Sequence, residues 1–304
     1  MDLEKKAIER IQLASEMSLH HYEKPLICTY SGGKDSDVML ELFKRSGIPF
    51  EVHNSHTTAD SPETVYHIRK VFRELELQGI KANIEKPTYQ GKSISMWTLI
   101  PIKRMPPTRR ARYCCQILKE TGCPNRMIAT GVRWAESKGR EDRESFEAIG
   151  STKDSAIRVS DEKMLLSDND KTRQLFEKCE LKAKTVVNPI IDWPDSDIWN
   201  FYWNECGMHN PSYECGLYRV GCVGCPLAAS KIRYKEFAMY PKYQTLYIHA
   251  FDRMIQARKD NGLHVKWKSG EEVFLWWMQD PNMDGQFGME FDGSDLIGYT
   301  EKGN

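Results

Sequence analysis

Apolar positions at Ile8, Ile11, Leu13 and Met17 recur at near-helical spacing and predict a leading amphipathic helix over residues 1–22. The run PLICTY then ends in Ser31-Gly32-Gly33-Lys34-Asp35-Ser36, and DVMLELFKRSG resumes a helical period that stops at Gly47. This order predicts a strand, a glycine loop and a helix. IPFEVHNSH predicts a second strand. SPETVYHIRKVFRELELQG predicts a helix with Ser61 as N-cap, Pro62 in its first turn and Gly79 as its stop, and IKANIEK a third strand. Strands alternating with helices predict an α/β fold with a doubly wound parallel sheet. The Pro-containing stretch from Pro87 to Pro107 has no clear period and reads as a loop over the sheet. Beyond it the pattern predicts a helix carrying Cys114 to Glu120, a strand in RMIATGVR, and a polar, partly flexible excursion over residues 137–184. TVVNPIIDW reads as strand, PDSDIWNFYWNEC as helix, and HNPSYECGLYRVGCVGCPLAAS as a loop rich in Gly and Cys. A helix near residues 233–260, the apolar segment SGEEVFLWWMQD and a Gly-rich acidic tail complete the chain. The expected division is a main domain over residues 1–230 and a helical extension over 231–304.

Composition narrows the class. The 304 residues, 40% hydrophobic with 8 Trp, 13 Tyr and 11 Phe, supply one large core or two small ones. No stretch approaches the roughly 18 uninterrupted apolar residues of a membrane span, and the N-terminus is amphipathic and charged, so a soluble cytoplasmic protein with no membrane partner is expected. The 43 basic and 43 acidic residues cancel but are unevenly placed. Residues 103–119 carry Lys103, Arg104, Arg109, Arg110, Arg112 and Lys119 with no acid, whereas the chain from Glu271 onward is predominantly acidic. Nine Cys without a secretory signal argue for metal or redox chemistry rather than a disulfide framework. They cluster as Cys114-Cys115 and as Cys206, Cys215, Cys222 and Cys225.

The chemistry starts at the glycine loop. Two glycines let backbone N–H groups turn inward at the start of a helix, whose N-terminus carries partial positive charge, so Ser31 to Ser36 reads as a phosphate loop without Walker spacing. Gly131-Val132-Arg133 follows an apolar strand and places a turn at the sheet's carboxyl edge, where open parallel sheets hold ligands. Arg133 and Arg140 suit bidentate phosphate binding, and Glu136 is placed to orient one of them. Cys222-Val223-Gly224-Cys225 fits zinc, an iron-sulfur cluster or a redox dithiol, with His209 as a further ligand type nearby. The basic run offers Arg109, Arg112 and Lys119 to an anionic cluster, a sulfate or phosphate group, or a nucleic-acid backbone.

Several segments in order carry a resemblance. SGGKDS is similar to the PP-loop of the adenine nucleotide alpha hydrolase superfamily. SPETVYHI, RYCCQILK, GVRWAESKGR, NPIIDWPDSDIW and NPSYECGLYRVGCVGCP resemble successive elements of the 3'-phosphoadenosine 5'-phosphosulfate (PAPS) reductase family over about residues 26–227. The resemblance implies an adenine nucleotide bound by Ser31, Gly32, Gly33, Lys34, Asp35, Ser36, Gly131 and Arg133, with Lys34, Asp35 and Arg133 catalytic. It also implies a 4Fe-4S cluster on Cys114, Cys222 and Cys225, with Cys115, Cys215 and Cys206 competing for the fourth place.

SGGKDS is closer to the ATP-using branches, and no Cys follows Cys225 to match the nucleophilic tail of the reductases. The expected reaction is ATP-dependent sulfur transfer resembling DNA phosphorothioation, with Asp35 helping to hold Mg2+. A cysteine desulfurase or thioredoxin-like donor and a nucleic-acid acceptor are the expected partners. The alternatives are an adenylylsulfate (APS) or PAPS reductase using Cys215 or an external thiol, and a non-catalytic nucleotide-binding iron-sulfur module of a larger assembly.

Overall fold

The computed structural model describes residues 2–120, 122–136, 138–149, 157–159 and 184–279. The acidic tail and most of the 137–184 excursion therefore lie outside the described residues. Asp2 caps α1 (Leu3–Tyr22) by accepting from the Glu4 and Lys5 N–H groups, and Ala7, Ile11, Ala14 and Met17 form its buried face. Strand β1 (Leu26–Thr29) leads through the glycine loop into α2 (Lys34–Ser46), which ends on left-handed Gly47. Strand β2 (Phe50–Ser55), α3 (Pro62–Leu77), capped by the Ser61 hydroxyl on Thr64 N–H, and β3 (Ala82–Glu85) repeat the alternation.

The stretch expected as a loop contains a small hairpin, β4 (Thr88–Tyr89) with β5 (Lys92–Ser93), and α4 (Met96–Lys103). Pro101 inside α4 obscured the helix in the sequence. Next come α5 (Tyr113–Leu118), β6 (Met127–Ala129), β7 (Phe146–Ile149), β8 (Ile157–Val159) and β9 (Lys184–Val187).

Among the described residues the main sheet has seven strands in the order β3-β2-β1-β6-β9-β7-β8. The first five run parallel, as the alternation predicts, while β7 is antiparallel to both β9 and β8. From β1 the chain winds outward through β2 and β3, then returns to place β6 and β9 on the other side. The β1–β6 boundary is thus the switch point at which doubly wound sheets open a ligand crevice. The glycine loop and Gly131 both follow strands at that boundary.

Helix α6 (Asp195–Glu205) and the short α7 (Pro211–Glu214) follow β9. Two compact units divide the chain: residues 1–99 with 110–223, and residues 100–109 with 224–304. The division falls inside the Cys222–Cys225 turn. In the second unit the expected single helix is two, α8 (Ser230–Met239) and α9 (Pro241–Asp260), because Tyr240 precedes a proline and adopts φ −125°, ψ 65°. Helix α10 (Gly270–Met278) packs on α9, and a Cβ on Gly270 would lie 2.2 Å from Ile248 O.

Candidate functional site

The glycine loop is held in shape from below. Gly32 has φ +74°, and a Cβ there would lie 2.8 Å from Ile68 Cγ1 on α3. Asn210 Nδ2 donates to Gly32 O (2.7 Å) and Thr64 Oγ1 (3.1 Å), and Ser36 Oγ donates to Gly33 O (2.7 Å). Ser31 Oγ lies 3.3 Å from Ser36 Oγ. Gly33 stands at the N-cap of α2 without a side-chain cap. Among the described residues the Gly32 and Gly33 N–H groups meet no acceptor, which leaves them for an anion at the positive helix end. The Lys34 N–H is engaged: it donates to Tyr213 Oη at 2.8 Å. Burial holds the Tyr213 phenol above its usual pKa, so this oxygen keeps its proton.

Above the loop the expected catalytic residues meet. Asp35 takes Lys34 Nζ on Oδ2 (2.9 Å) and Arg133 Nε on Oδ1 (2.6 Å). Arg133 is 1% exposed; its Nη1 donates to Trp193 O (3.0 Å) and its Nη2 to Asp195 Oδ1 (2.7 Å). Both Asp35 oxygens thus face cations, and a Mg2+ on Asp35 would replace one of them. Lys34 Nζ lies 5.3 Å from the centroid of the Trp199 ring. Gly131 passes close to Asp35, where a Cβ would sit 3.4 Å from its carbonyl oxygen.

Glu136 accepts from the Arg133 N–H and pairs with Arg140. Burial, then the charges of Arg143 and Arg219, push the Arg140 pKa down, which marks a cationic group beside the loop. Arg143 is itself tied to buried Glu147. Asp195, Asn210, Tyr213, Arg143 and Arg219 carried no assigned role in the sequence. Asn210 and Tyr213 had a usable signal, since an Asn-Pro at a helix start marks an N-cap.

Behind the loop, Asp37, Tyr30 and His67 form a fully enclosed triad. Tyr30 Oη donates to Asp37, and His67 Nε2 lies 2.9 Å from Tyr30 Oη and 3.1 Å from Asp37 Oδ1. Burial raises the Asp37 pKa against the opposing pull of His67.

The thiols separate by environment. Cys115 shares a hydrogen bond with Cys114 and has Arg112 Nη2 at 3.7 Å. The Cys114 bond first, then Arg112 and Lys119 against the opposing effect of burial, draws its pKa down to about 5. Cys222 Sγ donates to Thr57 Oγ1 (3.3 Å) and lies 3.8 Å from Asp60 Oδ1, and the Val223 N–H donates to Ala59 O. Cys225 is half-buried and Cys215 is exposed at the end of α7. Cys206 belongs to the hydrophobic core, where burial raises its pKa, and His209 Nε2 is engaged by Tyr202 O at 2.8 Å. Arg109 Nε donates to Pro226 O (3.0 Å) in the second unit.

Among the described residues no three His, Cys, Asp or Glu side chains gather around one point as a metal site. Thiols are the donors that soft metal centres take, and Cys114, Cys115 and Cys222 supply them in the first unit.

Comparison with known proteins places the chain. An uncharacterised protein of Methanocaldococcus jannaschii is 25% identical over 262 residues, covering 83% of this chain and 53% of its own length. A second from that organism is 25% identical over 205 residues, covering 67% and 36%. The chain thus spans about half and about a third of the lengths of these curated relatives.

Among solved structures, the phosphoadenylyl-sulfate reductase of Candida auris in its phosphate complex aligns with TM-score 0.43 and 16% identity over 71% of this chain and 88% of that one. The U34-tRNA thiolase NcsA of Methanococcus maripaludis, with its 4Fe-4S cluster, aligns with TM-score 0.40 and 13% identity over 86% and 82%. Neither likeness is close enough to carry function. No described helix is long and apolar enough to cross a membrane. The phosphoadenosine phosphosulfate reductase domain matches residues 25–228, two-thirds of the chain and every element that builds the loop and its neighbours, and the chain belongs to that family.

Proposed function

We propose that this protein is an ATP-dependent sulfur-transfer enzyme that releases AMP and pyrophosphate. The observation that carries the reading is the loop itself: two unoccupied N–H groups on an uncapped helix N-terminus, with Lys34 alongside, at the switch point of the sheet. Such a cradle favours the charge that develops on a departing pyrophosphate. The acceptor oxygen attacks the α-phosphorus, the bond to the β-phosphate oxygen breaks, and its electron pair leaves with pyrophosphate. Gly32 and Gly33 N–H groups bind its oxygens and Lys34 offsets its charge. Arg133, held between Asp35 and Asp195, fixes the carboxylate that in turn aligns Lys34. Sulfur at the sulfide level then displaces AMP.

A 4Fe-4S cluster on cysteine thiolates would supply sulfur-carrying and redox chemistry. A cysteine desulfurase would supply the sulfur as a persulfide, a thioredoxin-like dithiol would reduce it to the sulfide level while being oxidised to its disulfide, and Arg112 and Lys119 would face an anionic acceptor such as a nucleic acid. A second reading, reduction of APS or PAPS, is favoured by exposed Cys215 two residues beyond the Tyr213 that touches the loop.

The test uses anaerobically purified protein, with iron and sulfide analysis followed by parallel incubation with ATP and APS. Cluster together with AMP and pyrophosphate from ATP supports sulfur transfer, and Lys34→Ala should abolish the release. Sulfite from APS without ATP turnover overturns it in favour of the reductase, and nucleotide binding with no turnover of either overturns it in favour of a binding module.

A further inference from the structure

Helix α6 turns one face toward both partners of Asp35, with Asp195 and Trp199 at i and i+4 along it. Asp195 Oδ1 accepts from Arg133 Nη2, and Arg133 Nε in turn donates to Asp35 Oδ1. The Trp199 ring faces Lys34 Nζ, 5.3 Å from its centroid, and Lys34 Nζ donates to Asp35 Oδ2 (2.9 Å). All of these residues belong to the first compact unit.

The neighbours of Trp199 fix its ring. Tyr213 meets it in a T-shaped contact at 5.1 Å, Tyr202 in another at 5.9 Å, Trp203 stacks on it at 6.1 Å and Tyr218 leans against it at 5.4 Å. Tyr213 also accepts the Lys34 N–H, so two touching rings hold the backbone and the ammonium of one lysine. The indole Nε1 of Trp199 is buried and meets no acceptor among the described residues. A stranded N–H is unfavourable, and packing alone would be met by a phenyl ring, which carries none. What an indole adds over a phenyl is a π face more attractive to a cation. Lys34 is the cation it faces. The lysine side chain is only 10% exposed, and desolvation strengthens such an attraction.

We infer that Trp199 is a positioning residue for Lys34: its ring face holds the ammonium beside Asp35 and so readies it for pyrophosphate. An ammonium has three protons to donate. Asp35 Oδ2 takes one, the ring faces the group from another side, and no further acceptor meets Nζ among the described residues, which leaves a donor for a phosphate oxygen. The ring supports the charge without neutralising it as a second carboxylate would. Anion binding thus adds to the cation–π contact and does not replace it. The inference rests on the reading of the loop as the pyrophosphate site.

The experiment measures calorimetric pyrophosphate affinity and melting of the full chain as wild type, Trp199→Leu, Lys34→Ala and the double variant. Trp199→Leu should bind pyrophosphate about five- to thirtyfold more weakly. In the Lys34→Ala background, where the Gly32 and Gly33 N–H groups remain, the same change should cost no further affinity. Equal losses with and without Lys34 would reduce Trp199 to a packing residue, and unchanged affinity in Trp199→Leu would overturn the inference outright. If Trp199→Leu does not fold, fluorinated tryptophan built in at all 8 Trp positions weakens the π faces with little change of shape. It should lower pyrophosphate affinity in the otherwise wild-type chain and leave Lys34→Ala unaffected; equal affinity of the fluorinated and ordinary wild type overturns the inference. Wild type that binds no pyrophosphate fails the loop reading itself, a result distinct from the losses above, and the inference falls with it.

Discussion

Tyr213→Phe tests the loop most directly, because it deletes one oxygen and leaves the aromatic packing in place. In the wild type that oxygen accepts from the Lys34 N–H at 2.8 Å, with both residues 8% exposed. Its loss strands a buried N–H at a cost of about 1–3 kcal/mol. For a domain of about 150–250 residues, about 2 kcal/mol lowers the melting temperature by roughly 4–8 °C. An anion on the loop changes this balance. If pyrophosphate takes the Lys34 N–H, the wild type must surrender the tyrosine bond, while the variant offers a donor already free. The variant then binds pyrophosphate more tightly by the same about 1–3 kcal/mol, roughly 5- to 150-fold, and its stability deficit closes at saturating ligand.

The assay is thermal and urea unfolding of both proteins with and without pyrophosphate, alongside calorimetric affinities. Equal affinity and an unchanged deficit would confine the anion to the Gly32 and Gly33 N–H groups and leave the Lys34 N–H with Tyr213. No deficit in the free protein would refute the tyrosine bond.

Three further outcomes are expected. Gly32→Ala places a Cβ 2.8 Å from Ile68 Cγ1 at φ +74°; the left-handed backbone alone costs about 1–2 kcal/mol, and pyrophosphate affinity should fall with it, whereas unaltered calorimetric binding would contradict the loop geometry. Asp192 is desolvated, but Arg10 and Lys6 outweigh this and hold its pKa below the usual carboxylate value. Its contribution is therefore full above the unfolded pKa and lost as pH falls through the folded one, and Asp192→Asn should flatten the acid limb of a stability-against-pH curve that stays steep in the wild type. Cys206→Ala should leave bound iron at the wild-type level, because this thiol lies in the hydrophobic core; a loss of iron in a normally melting variant would return Cys206 to the ligand set.

Local order alone determined much of this protein. Asp2, Gly47 and Ser61 punctuate α1, α2 and α3, and alternating apolar runs determined β1, β2, β3 and their parallel pairing, because periods and caps act within a few residues. The ordered motifs fixed the family on the same grounds. Only tertiary structure decided which side chains meet. Arg133 joins Asp35 and Asp195 from 98 and 62 positions away, and Tyr213 reaches Lys34 across 179, separations that leave no periodic trace.

Tertiary structure also turned β7 and β8 antiparallel at the sheet edge and drew residues 100–109 into the second unit. It sorted the thiols too: Cys206 and Cys115 read alike as letters, but one is enclosed by apolar side chains and the other lies beside Arg112. Burial and neighbouring charge, which set a thiol's chemistry, exist only once distant segments have packed.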